Sequence, residues 1–422
     1  MNLQLTPDEE AMLAGRAGEA ARLSMRILVE MAGVARAERF IPVRSAHIDG
    51  GLYHGRAGLD FAERLASSGA RVGVPTTLNV SSLDLLHPRL YRGDPDTAAA
   101  ARRLMDFYIE MGCRPTWTCA PYQLPERPAF GDQIAWAESN AIVFANSVLG
   151  ARTERYGDFI DICAAITGRV PDAGLHRSEN RAGEILFQLS GLRDELLESD
   201  VFYPVLGHLI GSEAGTSVAV IAGLPADTSE DRLKALGAAA ASSGAVALFH
   251  AVGVTPEAPT IEATFRGGGP RRTVEVTMDG LRAARDVLST VSEGSLSAVS
   301  LGTPHASLAE LDELATLLAG GPIHPEIDFF VSTGRGVLAQ AETSGTAARL
   351  KGAGVQIVVD TCTYITPILS PRPGAVMTNS AKWAWYAPGN IGVEVVFGST
   401  EECVRSAIEG QIWRDDGLWH DN

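Results

Sequence analysis

The chain has 422 residues, of which 45% are hydrophobic and 20% charged, and it carries a formal charge of −16. That length exceeds one simple core, so two or three subdomains are expected. The acidic balance, with no basic stripe, excludes a nucleic-acid-binding surface, and no apolar run approaches the ~20 residues of a membrane span.

The opening MNLQLTPDEEAMLAG has neither a basic n-region nor an apolar h-region. It begins a helical pattern over 7–37, with Thr6 or Asp8 as cap and acids in the first turn. Short apolar runs then alternate with amphipathic stretches. Strands are expected at 39–43, 71–75, 114–118, 217–223, 245–252, 272–278, 296–302, 327–333, 355–360 and 392–398. Helical spacing fills 57–69, 95–112, 228–243, 306–319 and 334–353. This alternation implies an α/β fold of several mainly parallel sheets. The polar stretch 168–184 and the turn-rich 265–273 mark seams, giving sub-blocks 1–170, 171–270 and 271–422. The five cysteines, at 113, 119, 163, 362 and 403, form no disulfide framework and no CxxC pair. A reducing cytoplasm is the expected location.

Ligands of parallel α/β sheets bind beyond the carboxyl ends of strands. The residues just after each expected strand are therefore the informative ones. Ser45, His47 and Asp49 follow the first, and Thr76, Thr77 and Asn79 the second. Cys119 and Tyr122 follow 114–118, Thr303 and His305 follow 296–302, and Asp360, Thr361 and Cys362 close 355–360. Near the end, MTNSAKWAWYAPG combines Asn379, Ser380 and Lys382 with tryptophan. Each loop alone is explained by capping and turn chemistry. Their recurrence at seven strand ends points to a shared cleft.

Cys119 and Cys362 each follow a strand and a threonine. Three readings fit them: buried inert thiols, a nucleophile activated by His47 or His305, or soft ligands for iron. Cys163 and Cys403 lie in apolar helical patterns and read as structural. His305 either caps the next helix or faces the cleft. Lys382 either extends from an aromatic surface or binds a carboxylate. No GxGxxG follows a strand and no Walker motif is present. The glycine-bearing stretches 207–215 and 332–336 read as helix starts with anion-binding potential.

Seven blocks in order, IPVRSAHIDG, VPTTLNVSSLDL, TWTCAPYQL, IAWAESNAIVFANSVLGARTER, SLGTPHASLAEL, VVDTCTY and MTNSAKWAWYAPG, resemble the aconitase X family over nearly the whole chain. The resemblance implies an aconitase-like arrangement of subdomains around a central cleft. It also implies an iron–sulfur-dependent dehydration, of either cis-3-hydroxy-L-proline or mevalonate 5-phosphate. Carried over by block, Cys119 and Cys362 become cluster ligands. Ser45, His47 and Lys382 become catalytic candidates, and Thr76, Thr77, Glu138, Ser139, Asn140, Asn379 and Ser380 substrate-binding ones.

The family often has a third cysteine in the LGxPH block, where this chain has Thr303. A hydroxyl is a poor ligand for soft iron, so the resemblance points to a [2Fe-2S] cluster and to the hydroxyproline branch. Neither RSAHIDGG nor TNSAKWAW has more than one basic residue, too few for a phosphate. No block follows GVEVVFG that would form the family's mobile domain, so a separate small subunit is the expected partner. The reading of another class is a cluster-free cysteine hydrolase.

Overall fold

The computed structural model describes residues 3–420. Two compact units are present: the chain up to Leu83 with Asp94–Ala182, and Asp84–Gly93 with the chain from Gly183 onward. Among the described residues no helix is long and apolar enough to cross a membrane.

The first unit contains β1 (Phe40–Pro42), β2 (Ala46–Ile48), β3 (Thr76–Leu78), β4 (Ala135–Trp136) and β5 (Arg169–Pro171). The strands β3-β2-β4 form a small parallel sheet, and β1 pairs antiparallel with β5. Helices Arg56–Ser67, Pro95–Glu110 and Ile160–Thr167 accompany them. The expected N-terminal helix is two helices, Pro7–Leu13 and Glu19–Val34, the first closed by a Thr6/Glu9 capping box.

Two expected strands of this unit are absent for identifiable reasons. In 71–75 the Val72 and Gly73 N–H groups donate to Met111 and Ala165 carbonyls, so no ladder forms until Thr76. In 114–118 the Thr116 hydroxyl donates to the Leu78 carbonyl at 2.9 Å and accepts from the Leu78 N–H at 3.0 Å. That side chain takes the place of ladder bonds. Trp117 adopts φ 45°, which a strand does not allow.

The second unit adds β6 (Ile185–Leu189), β7 (Ala219–Ala222), β8 (Phe249–Ala251), β9 (Arg272–Val276), β10 (Leu296–Ala306), β11 (Asp328–Thr333), β12 (Val355–Val358), β13 (Ala375–Thr378) and β14 (Val395–Phe397). They form two all-parallel sheets, ordered β8-β7-β6-β9 and β12-β11-β10-β13-β14. The continuous apolar runs of these strands suit a sheet covered on both faces. Val299, Leu301, Phe329, Val331, Ile357 and Val396 lie in one core cluster, with Cys403 beside them. The helical stretch 334–353 divides at Gly345, which adopts φ 84°, into Arg335–Ser344 and Thr346–Ala353. The stretch 207–215 is the end of helix Phe202–Ala214 and its cap, so it offers no helix start to an anion.

The larger sheet reverses direction. The chain runs outward from β10 to β11 and β12, then returns to the other side of β10 as β13 and β14. The reversal lies between β10 and β13, the position where open parallel sheets bind ligands.

At that point β10 is longer than expected and carries Thr303 and His305 within it, across a register shift between Leu301 and Ala306. Gly302 adopts φ 80°, and a Cβ there would lie 2.1 Å from the Ser332 carbonyl oxygen and 2.8 Å from its nitrogen. Backbone on both sides leaves nothing to give way. Gly302→Ala is therefore expected to lower stability by about 2 kcal/mol or more. Gly336→Ala, with open space at its Cβ, should leave stability unchanged or slightly raised. Denaturant unfolding of the two variants checks this contrast.

Candidate active site

In the second unit the segment after β12 carries the cysteine. Asp360 is fully buried at φ 64°. It accepts two hydrogen bonds from Arg335, at 2.6 and 2.7 Å, and one from the Leu85 N–H at 3.1 Å. Asp84 accepts from the Val359 N–H at 2.9 Å. These charge-assisted bonds hold an irregular backbone that has no ladder to hold it. The Thr363 hydroxyl accepts from Trp383 Nε1 at 2.8 Å and bonds the Ser300 hydroxyl at 2.6 Å. Cys362 thus sits on a loop tied to β10 and to helix Ala381–Ile391. Arg335, whose helix start read as an anion site, has its guanidinium engaged by Asp360.

His305 and Cys362 are both buried, and their ligand atoms lie within 4.8 Å of each other. His305 Nε2 faces the Thr361 carbonyl at 3.2 Å. A carbonyl only accepts, so Nε2 carries the proton and Nδ1 keeps the lone pair. A histidine that donates one N–H to a carbonyl is oriented as metal-ligating histidines are. Thiol and imidazole together form a donor set that suits iron–sulfur chemistry. Of the two sequence readings for His305, helix capping is taken instead by Ser307.

A cavity of about 390 Å³ opens at the β10/β13 reversal of the same unit. Thr303, Asn379 and Ser380 line it, with Ser399 and Thr400 at the start of helix Thr400–Glu409. Ser380 caps helix Ala381–Ile391 and donates to the Thr303 carbonyl. Asn379 donates to the Thr400 hydroxyl at 3.0 Å. Lys382 follows on the first helical turn and is buried.

In the first unit His47 lies on β2 rather than on a loop, with Nδ1 2.8 Å from the Thr77 hydroxyl on β3. Ser45, half-buried, directly precedes that strand. Thr76 is buried and donates to the Val74 carbonyl at 2.8 Å. Glu138 caps helix Ser139–Phe144, accepting from the Ala141 N–H at 2.7 Å and from Ser139 at 3.2 Å. Asn140 also donates to Glu138, and to the Cys119 carbonyl at 2.7 Å, while accepting from Tyr122 at 2.7 Å. Cys119 is thereby joined to Glu138 through one amide. The sequence reading set Asp49 and Asn79 aside after noting their loops; here Asn79 donates to Asp49.

Matches to known proteins cover nearly the full length. Models described as aconitase X first, second and third domain match residues 2–179, 183–286 and 296–409. The crystal structure of Thermococcus kodakaraensis aconitase X in its holo-form superposes with a TM-score of 0.86. It is 33% identical, covering 96% of this chain and all of that one. The chain belongs to the aconitase X family. Among curated members, a cis-3-hydroxy-L-proline dehydratase of Pseudomonas aeruginosa is 45% identical over 96% of this chain and 70% of its own length. Another, of Hypocrea jecorina, is 40% identical over 97% and 69%. A phosphomevalonate dehydratase large subunit of Methanothermobacter thermautotrophicus is 37% identical over 94% and 97%.

The three remaining thiols of this aconitase X chain are buried and protonated. Burial pushes Cys163 up to about 12 and Cys113 and Cys403 higher still. In the first unit burial also lowers His47 to about 4, against a smaller opposing effect of Glu138 and the Thr118 backbone. Burial raises Asp49 and Asp161 to about 7, reinforced by neighbouring carboxylates that include Asp158 for both.

Between pH 6.5 and about 4 the unfolded chain protonates His47 while the folded one does not, so this group weakens the fold as pH falls. Asp49 and Asp161 act oppositely. The fold holds their protons above the ordinary value of 3.8, and their contribution declines as pH rises toward 7. Replacing the imidazole isolates the first effect. From pH 6.5 to 4.5, His47→Gln is expected to lose about 2 kcal/mol less stability than the unaltered protein. Urea unfolding at both pH values measures this; equal losses would show that His47 is not held neutral.

Proposed function

We propose that the chain is the catalytic large subunit of an iron–sulfur hydro-lyase that dehydrates cis-3-hydroxy-L-proline to Δ1-pyrroline-2-carboxylate. The observation that carries this reading is the cation inventory of the β10/β13 cavity. Its two basic residues are already neutralised in the wall. Lys234, only 3% exposed, pairs with Asp231 at 2.8 Å and with Glu310. Arg232 pairs with Asp200 at 2.7 Å. A phosphate dianion finds no spare cation there, which disfavours mevalonate 5-phosphate. The Pseudomonas and Hypocrea relatives, both named for cis-3-hydroxy-L-proline, support the same choice.

Cys119 and Cys362 are the proposed cluster ligands, with His305 as the donor that replaces the cysteine absent at position 303. Two thiolates with an imidazole fit the smaller [2Fe-2S] type better than a three-cysteine cluster. When bound, the cluster supplies a Lewis acid for the departing hydroxyl. The protein's own groups supply the rest. A base takes the proton from C2, the C3–O bond breaks, water leaves, and the enamine tautomerises to the cyclic imine. Ser45 and His47 are the proposed sources of that base, and His47 is neutral at pH 7 as a base must be.

Asn379 and Ser380 are proposed to hold the substrate carboxylate with Lys382 on the next turn. Thr76, Thr77, Glu138, Ser139 and Asn140 are proposed as further substrate contacts. The proposed partner is a small subunit resembling the mobile aconitase domain, and the naming of the Methanothermobacter relative as a large subunit supports it.

Anaerobic protein combined with its small-subunit partner is expected to convert cis-3-hydroxy-L-proline to the pyrroline, followed by NMR, and to leave mevalonate 5-phosphate intact. Loss of water from the phosphorylated compound alone would overturn the assignment.

A further inference from the structure

The cavity at the strand reversal carries a group that the proposed chemistry leaves unused. Thr303 is 7% exposed, and its hydroxyl is buried without a hydrogen-bond partner while its residue lines the cavity. A buried hydroxyl left unpaired costs about 1–3 kcal/mol, so such groups in native proteins usually await a ligand or water. Around it the wall has two electrostatic characters. Two helices begin there, at Ser380 and Ser399, and helices of 11 and 10 residues present positive dipole ends to an anion. Elsewhere the wall is acidic.

Asp200, Asp231, Glu310 and Glu313 line the cavity against Arg232 and Lys234, leaving two more carboxylates than cations. Burial alone would lower Lys234, but Glu310 and Asp231 hold it above its ordinary value. Lys234 is therefore a fixed structural cation, clamped further by the Ser307 hydroxyl, which donates to Asp231 at 2.7 Å. Glu313, an exposed carboxylate, is raised by partial burial, then by Asp200 and Glu310, with Arg232 opposing. That crowding of negative charge is what a ligand cation would relieve.

We propose that this cavity is a binding site for a zwitterionic cyclic amino acid, with its carboxylate at the Thr303 hydroxyl and the two helix starts and its ammonium at Glu313 and Asp200. The choice of amino acid rests on the hydroxyproline reading above, and the site makes the position of Thr303 a substrate contact. The ammonium gives the discrimination. A carboxylate of the same ring shape without nitrogen satisfies one part of the wall and leaves the acidic part uncompensated.

The test is calorimetric titration of the full chain with L-proline, which has no hydroxyl to lose, and with tetrahydrofuran-2-carboxylate, which has no ammonium. The unaltered protein is expected to bind L-proline more tightly. Glu313→Gln, at an exposed position, should weaken L-proline about threefold to fivefold and leave the oxygen analogue unchanged. Thr303→Val should weaken both ligands by about fivefold. No binding of L-proline, equal affinity for the two ligands, or a Glu313→Gln effect that is absent or shared by both ligands overturns the proposal. Dehydration of cis-3-hydroxy-L-proline with KM unchanged in both variants also overturns it, leaving the proposed activity intact. The expected binding pattern without any dehydration would do the reverse.

Discussion

The reversal of strand order between β10 and β13 is the constraint on which the second unit's chemistry depends. A parallel sheet in which every crossover ran the same way would cover its carboxyl edge with consecutive loops. Here the chain leaves β10 in one direction and returns on its other side, so the loops diverge and a cavity of about 390 Å³ remains. Thr303 and His305 reach this edge because β10 continues past Leu301. That continuation requires Gly302 against the backbone of Ser332. Cys362 reaches His305 because the segment after β12 is irregular and is held by Arg335, Asp84 and Leu85 rather than by a ladder.

The same edge explains how a small polar substrate is favoured over a phosphorylated one. Lys234 and Arg232 look like an anion site in a residue count, yet both have carboxylate partners. What the cavity offers instead is neutral: hydroxyls, an amide and two helix starts, beside carboxylates in excess of cations. Electrostatic fit then comes from a ligand that brings charges of both signs. A cyclic amino acid does so, and a phosphorylated hydroxy acid does not.

Much of this was legible in the sequence. The parallel α/β class followed from continuous apolar runs separated by helical spacing, and the long strands at β11 and β12 match it. Asn379, Ser380 and Thr303 were picked out because strand ends concentrate ligand contacts, and they line one cavity. The short strands of the first unit were not legible: two or three residues at β2 and β4 carry no periodicity. RPTWT had the right composition for a strand, but the Thr116 hydroxyl replaced the ladder, a substitution that propensity does not see. Thr303 and His305 were placed beyond β10 because Gly-Thr-Pro reads as a turn. The Lys234 clasp also escaped notice. Asp231 and Glu310 are 79 residues apart in sequence, and only the packing of two helix starts brings them to one ammonium.

The account stands on two cysteines from separate parts of the sequence serving one iron–sulfur centre. Iron and acid-labile sulfide measured on anaerobically purified protein, with Cys119→Ser and Cys362→Ser alongside, test this most directly. The account predicts iron and sulfide in equal amounts in the unaltered protein and loss of both, with the visible absorbance, in each variant. A full complement of iron and sulfide in either variant would contradict it.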